Sequence, residues 1–233
     1  MPTRLNAITP AAPDVIVVGD PRRSFLLAQE LTESPKMSHL ARGLWGYTGG
    51  APSGRPVTIQ STGIGGPSAA AVISDLAAEG VRRIVRLGTC VATVADLEPG
   101  SVVLVESVLG LDGVSSRMGV AGEILPDPDL TALLGGLGRF GRISSHDLLA
   151  RNDRSGTQLA REDGPDEPLL ARDLQTAATF AVAADLSIAA AALLIVSEDK
   201  KGVRLEETEL EPEFLELGRL VLDRIAPAER LFN

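Results

Sequence analysis

The chain alternates short apolar runs with longer amphipathic ones. DVIVVG (14–19) is apolar, rich in β-branched residues and ended by glycine, which is the pattern of a buried strand. PRRSFLLAQELTE (21–33) follows, with proline in the first turn and helix formers after it, so it reads as a helix. The strand pattern recurs in VTIQSTG (57–63), VRRIVRLG (81–88), SVVLVES (101–107), GRISSHD (141–147) and AALLIVSE (191–198). Helices are expected from Pro67 to Gly80, near 128–138, over DLQTAATFAVAADL (173–186) and over 209–225. The stretch 150–171 is charged and polar, has no clear period and reads as a loop. Strands alternating with helices predict an α/β fold with a mainly parallel sheet covered on both faces. There is no internal repeat and no dividing linker, so one domain is expected over residues 1–233.

In such sheets ligands sit outside the carboxyl ends of the strands. That singles out Gly19-Asp20-Pro21-Arg22-Arg23, Gly63 to Ser68, Gly88-Thr89-Cys90, Ser144 to Asp147 and Ser197-Glu198-Asp199. The first and third groups lie where glycine, arginine and hydroxyl groups combine, equipment suited to a small oxyanion. STGIGGPS (61–68) joins a strand to an alanine-rich helix, a junction that can aim backbone N–H groups at an anion. Its glycine spacing fits neither the dinucleotide pattern nor the P-loop.

Composition narrows the function classes. The chain has 233 residues, of which 44% are apolar and only 3% aromatic, so the core must be built from Ala, Val, Leu and Ile. A formal net charge of −9 argues against a broad nucleic-acid surface and leaves room for a local basic pocket. A single cysteine, Cys90, excludes an intramolecular disulfide and suits a reducing compartment. No basic-then-apolar leader and no unbroken apolar run near membrane-spanning length is present, so a cytoplasmic protein without a membrane partner is expected. With His39 and His146 the only histidines, a His-centred triad or multi-His metal site is not expected.

GDPRR (19–23), STGIGGPS (61–68), VRLGTC (85–90) and LDGVSS (111–116), in this order, resemble the nucleoside phosphorylase family, in particular the hexameric uridine and purine enzymes. The resemblance runs from about residue 4 to residue 225. It implies a single α/β domain with a twisted, mixed, mostly parallel central sheet flanked by helices. It also implies phosphorolysis of a nucleoside to free base and sugar 1-phosphate, with inorganic phosphate as co-substrate and no metal or organic cofactor. Matching places phosphate contacts on Gly19, Arg23, Arg86 and Thr89, with Arg22 the alternative to Arg23. Arg42, in ARGLWGYTG (41–49), matches an arginine that the family supplies from a neighbouring subunit, so self-association as a dimer or hexamer is implied.

For the sugar, Ile64 would face the ligand, and Arg4 would come from a neighbour near the 5′ hydroxyl. DLQTAA (173–178) matches the family's ribose stretch, which places Asp173, Leu174 and Gln175 at the sugar. Gln175 stands where the family has a glutamate that accepts both ribose hydroxyls. An amide accepts on one side and donates on the other, which implies an atypical sugar, and Gln175→Glu should raise activity on ordinary ribonucleosides. For the base, Asn152-Asp153-Arg154 is the best local match to a Gln-x-Arg element that reads a uracil edge, with Asn152 and Arg154 in the reading positions. Cys90 and Val91 would border the base, Val91 standing where the family usually has glycine, and Cys90 suits packing better than nucleophilic chemistry. Glu198 falls where purine enzymes place an acid to protonate the base, beside Asp199, and no late arginine to assist it is evident in LEETELEPEF (205–214). A non-catalytic nucleoside-binding paralogue and a water-dependent nucleosidase stand as the alternatives.

Overall fold

The structure, a computed structural model, describes residues 5–120, 122–148 and 169–227. The described residues form ten strands and six helices. They are β1 (Asp14–Val18), α1 (Pro21–Leu31), β2 (Glu33–His39), β3 (Gly46–Gly50), β4 (Pro56–Ser61), α2 (Gly66–Ala78), β5 (Arg83–Ala92) and β6 (Val102–Leu111). Then come α3 (Gly113–Arg117), β7 (Glu123–Ile124), α4 (Pro128–Leu133), β8 (Arg139–His146), β9 (Ala171–Asp173), α5 (Thr176–Asp185), β10 (Ala189–Glu198) and α6 (Glu207–Ile225).

All the strands belong to one mixed sheet, in which the longest pairings, β5 with β10 and β6 with β8, are parallel. β5 is the pivot. Along one edge it pairs β10 from Arg83 to Val91. Along the other it pairs β1 only as far as Val18↔Leu87, and β9 only from Val91↔Arg172 onward. Gly88, Thr89 and Cys90 therefore lie in a gap between two partners on the same edge. Beyond the gap, β9, β8, β6 and β10 close back onto β5 as a ring, while β1, β4, β3 and β2 extend the sheet on the near side.

Alternation along the strands divides the core. Val15, Val17 and Ile84 face a cluster shared with α2 and α5; Ile16, Val18, Val85 and Leu87 face one shared with α1 and α6. Both clusters are built almost wholly from aliphatic side chains, with Phe180 and Phe214 the largest buried ones. Arg86 falls on the α2–α5 face of β5, which sets up the problem its neighbours solve.

The expected architecture is present, with differences in detail. β2 and β3 were not legible as strands, because ESPKMSH and GYTGG have no apolar alternation. They form the far edge of the sheet, where proline, lysine and glycine are tolerated and protect against further pairing. The helix expected near 128–138 stops at Leu133, ahead of Gly135 and Gly136. α5 begins at Thr176 rather than at Asp173, which closes β9 instead, although its carboxylate still accepts the Thr176 N–H as a cap would.

Candidate active site

The gap in the edge of β5 opens into a cleft of about 630 Å³. Four loops meet there. Gly19, Asp20, Pro21 and Arg23 enter from the end of β1 and the first turn of α1; Gly63, Ile64 and Gly65 follow β4. Arg86, Gly88 and Thr89 belong to β5, and Asp173, Leu174 and Gln175 link β9 to α5. The tight turn between β2 and β3 adds Arg42, Gly43 and Leu44. Parallel strands β1, β4 and β5 end together, so residues far apart in sequence converge at one rim.

The expected phosphate contacts Gly19, Arg23, Arg42, Arg86 and Thr89 all border this cleft, as do Ile64, Asp173, Leu174 and Gln175. Arg42 lines the cleft of its own chain, where the family resemblance has that arginine reaching a neighbour's. Its backbone is left-handed, with φ +60°, and among the described residues no side chain or carbonyl engages its guanidinium.

Arg86 is 4% exposed, and each of its three guanidinium nitrogens has a partner, with three of its five N–H groups engaged. Its Nη2 donates to Asp173 Oδ2 at 2.9 Å, Nη1 to Gln175 Oε1 at 2.9 Å, and Nε to Thr176 Oγ1 at 3.2 Å. Asp173 in turn accepts from Ser145 Oγ, from Thr176 N at 3.1 Å and from Thr176 Oγ1 at 2.6 Å. A buried guanidinium without such a partner would be costly. Gly88 leaves room for it: a Cβ there would lie 2.6 Å from Arg86 Nη2.

Gln175 is equally committed. Oε1 accepts from Arg86 and, at 3.2 Å, from Thr62 Oγ1; Nε2 donates to Gly63 O at 2.7 Å and Gly65 O at 3.2 Å. Two donors and two lone pairs are the full capacity of an amide. Gln175 thus ties the glycine turn to β5 and has nothing left for a sugar. The expectation that Gln175→Glu would raise activity is corrected on this ground, since a carboxylate would face two carbonyl oxygens. The glycine turn itself needs its residues: Gly63 has φ +72° and Gly65 φ +84°, and Ile64 between them is pushed out, 83% exposed.

Arg23 is held differently. Its Nε and Nη2 form a two-pronged pair with Glu207 at 2.8 and 2.7 Å, and its guanidinium stacks 4.4 Å from the Phe214 ring centroid. The Arg23 hydrogen bond holds the Glu207 carboxyl below its ordinary value. Arg22 points elsewhere, to Glu211 at 2.6 Å, which leaves Arg23 as the arginine at the cleft.

The base-side residues are placed otherwise. Cys90 does not line the cleft; its thiol is buried against β10, within 3.7 Å of Ile195 O, and burial pushes its pKa up, so it is a packing group. Val91 also lies outside the cleft lining, because here β5 is paired again on both edges. Glu198 pairs across from Val91 at the end of β10 and is not part of the lining. Its Oε2 accepts from Arg204 Nε at 3.1 Å and Nη2 at 2.5 Å. Sequence reading missed Arg204 by looking further along, in the acidic start of α6. The signal was the polar turn Asp199–Gly202, which folds the chain back so that Glu198 and Arg204 form a bridge. Arg4, Asn152 and Arg154 lie outside the described residues. Among the described residues no group of His, Cys, Asp and Glu could hold a metal ion, and no helix is long and apolar enough to cross a membrane.

The strand ends of this α/β sheet gather arginines, glycine turns and a hydroxyl around one cleft. Residues 13–226 match the model of the Phosphorylase superfamily, and the chain belongs to that family. It is similar to the DeoD-type purine nucleoside phosphorylase of Caldanaerobacter subterraneus, 26% identical over 223 residues, covering 91% of this chain and 94% of the relative. Against the DeoD-type enzyme of Limosilactobacillus reuteri the identity is 28% over 207 residues, covering 85% and 86% of the two chains. Its fold is similar to that of the Toxoplasma gondii purine nucleoside phosphorylase solved with immucillin-H, with a TM-score of 0.79 at 19% identity over 91% of this chain and 90% of that one.

Proposed function

We propose that the protein is a nucleoside phosphorylase, a pentosyltransferase that moves a nucleoside's glycosyl group onto inorganic phosphate. A phosphate oxygen forms the new bond to the anomeric carbon. The carbon–nitrogen bond to the base breaks, its electron pair goes to the base nitrogen, and a proton completes the free base. The observation that carries this reading is the convergence of Gly19, Arg23, Arg42 and Thr89 on one cleft, beside a buried arginine. Phosphate is the co-substrate, and no cofactor is assigned.

In this reading Arg42 and Thr89 hold phosphate directly and Arg23 joins them. Holding the dianion beside an electron-poor sugar lowers the barrier through position and electrostatics. Arg86, with three of its five N–H groups held by Asp173, Gln175 and Thr176, adds fixed positive charge at the cleft and keeps donors for phosphate. Ile64 and Leu174 give the sugar an apolar wall. With Gln175 saturated, the ribose diol lacks its usual acceptor at this position, which supports an atypical sugar preference. Glu198, oriented by Arg204 at the end of β10, is the candidate proton donor to the leaving base. Self-association, as a dimer or hexamer, is proposed with the family.

A second reading, a nucleoside-binding protein without turnover, draws on one observation: both Arg23 and Arg86 are already paired with carboxylates. Base release from a panel of purine and pyrimidine ribo-, deoxy- and 5′-modified nucleosides, with and without phosphate, separates the readings. Phosphate-dependent release is expected, with deoxy or modified sugars preferred. Release that ignores phosphate makes the protein a nucleosidase, and nucleoside binding without release makes it the non-catalytic form.

A further inference from the structure

Two arginines border the cleft already bound to carboxylates, and the two carboxylates are not alike. Asp173 is 1% exposed and accepts from Arg86, Ser145 and Thr176, so it is a fixture of the core. The Glu207 side chain is 42% exposed, and the hydrogen bonds it accepts all come from Arg23. It sits at the first residue of α6, where a carboxylate is favoured by the helix dipole whether or not it touches Arg23. Pro212 lies inside that helix; having no N–H, it leaves the Thr208 carbonyl without its helical donor. Glu207 can therefore leave Arg23 at little cost, and Asp173 cannot leave Arg86.

We propose that Glu207 is a built-in competitor for phosphate: its carboxylate occupies the Arg23 fork in the empty cleft, and phosphate engages Arg23 only by displacing it. Phe214, against which the guanidinium stacks, keeps Arg23 in place while the anions exchange. Glu207 thus sets the phosphate concentration at which the site fills, and discriminates against oxyanions too weak to open the pair. This rests on the phosphorolytic reading.

The test is calorimetric binding of inorganic phosphate to the full chain and its variants. Glu207→Gln and Glu207→Ala are each expected to bind phosphate about three- to tenfold more tightly, the scale of one partly exposed ion pair. The phosphate KM in base release should fall in the same proportion. Glu211→Gln, which frees Arg22 outside the cleft, is the control and should leave both unchanged. If Glu207 merely positions Arg23, its loss weakens phosphate binding, and that sign, or equal affinity in all variants, overturns the proposal while leaving phosphorolysis standing. If neither wild type nor Glu207→Gln binds phosphate and base release proceeds without it, the phosphorolytic reading falls and takes the proposal with it.

Discussion

Arg86 and Arg23 border the same cleft, each paired with a carboxylate, yet one pair is architecture and the other is a contact. Arg86 and Asp173 are buried, and further hydrogen bonds from hydroxyls, an amide and a backbone N–H hold each in place. Arg23 and Glu207 meet at the rim, with solvent reaching the carboxylate. Burial decides the difference. Removing one partner of a buried pair strands a charge in a low-dielectric interior, whereas at the rim water takes the place of the lost partner. A charged side chain in a binding cleft is therefore not by itself a ligand group. What matters is which of its hydrogen bonds remain to be made.

The sharpest way to break this contrast is Asp173→Asn. It should destabilise the protein by about 3–5 kcal/mol, the scale of a stranded buried charge. Glu207→Gln should cost less than about 1 kcal/mol. Urea unfolding midpoints check both, and equal losses would remove the distinction. Next is Gln175→Glu, which turns two donor contacts to Gly63 and Gly65 into repulsions and should cost about 1–3 kcal/mol. Activity on ribonucleosides should fall rather than rise, which a steady-state assay on that variant decides. Gly88→Ala follows, at about 1–3 kcal/mol, because its Cβ must displace the Arg86 guanidinium or Leu194. Thermal melting reads it, and an unchanged Tm would mean that Arg86 has room to move.

The smallest effect is in pH. The Glu207 carboxyl is held below the ordinary value of 4.5 by its hydrogen bond from Arg23. A lowered folded-state pKa means that the pair stabilises the fold above the unfolded value and that this contribution fades as pH falls through the folded one. The stability difference between wild type and Glu207→Gln should thus be flat from neutral pH to about 5 and shrink below it. A difference that grows in acid would contradict the assignment.

Much of this was written in the chain, unevenly. The strand ends after 14–19, 57–63 and 81–88 pointed to the rim where the cleft lies, because parallel strands gather their carboxyl ends whatever the loops contain. GDPRR and VRLGTC contribute residues that border it. Partners were harder. Glu207 lies 184 positions from Arg23, and in sequence its neighbourhood reads only as a helix start, with Glu206 and Glu209 as capping box. The helix expected from 209 in fact begins at Glu207. Gln175 illustrates a deeper limit. Matching puts it at the cleft, but its hydrogen bonds are set by two backbone carbonyls in the glycine turn, and carbonyl direction leaves no trace in residue type. Residue 42 was placed at a phosphate, and only the fold puts it on its own chain's cleft.

The gap along β5 has one further consequence. A strand segment without a neighbour is an edge, and edges invite other chains to add on. Here the edge is internal and three residues long, from Gly88 to Cys90, with β1 closing one end and β9 the other. No intruding strand can find a foothold between two fixed neighbours so close together, yet a small molecule can. The protein has thereby made a sheet edge selective by length alone: too short to aggregate through, and long enough to offer a main chain to whatever enters the cleft.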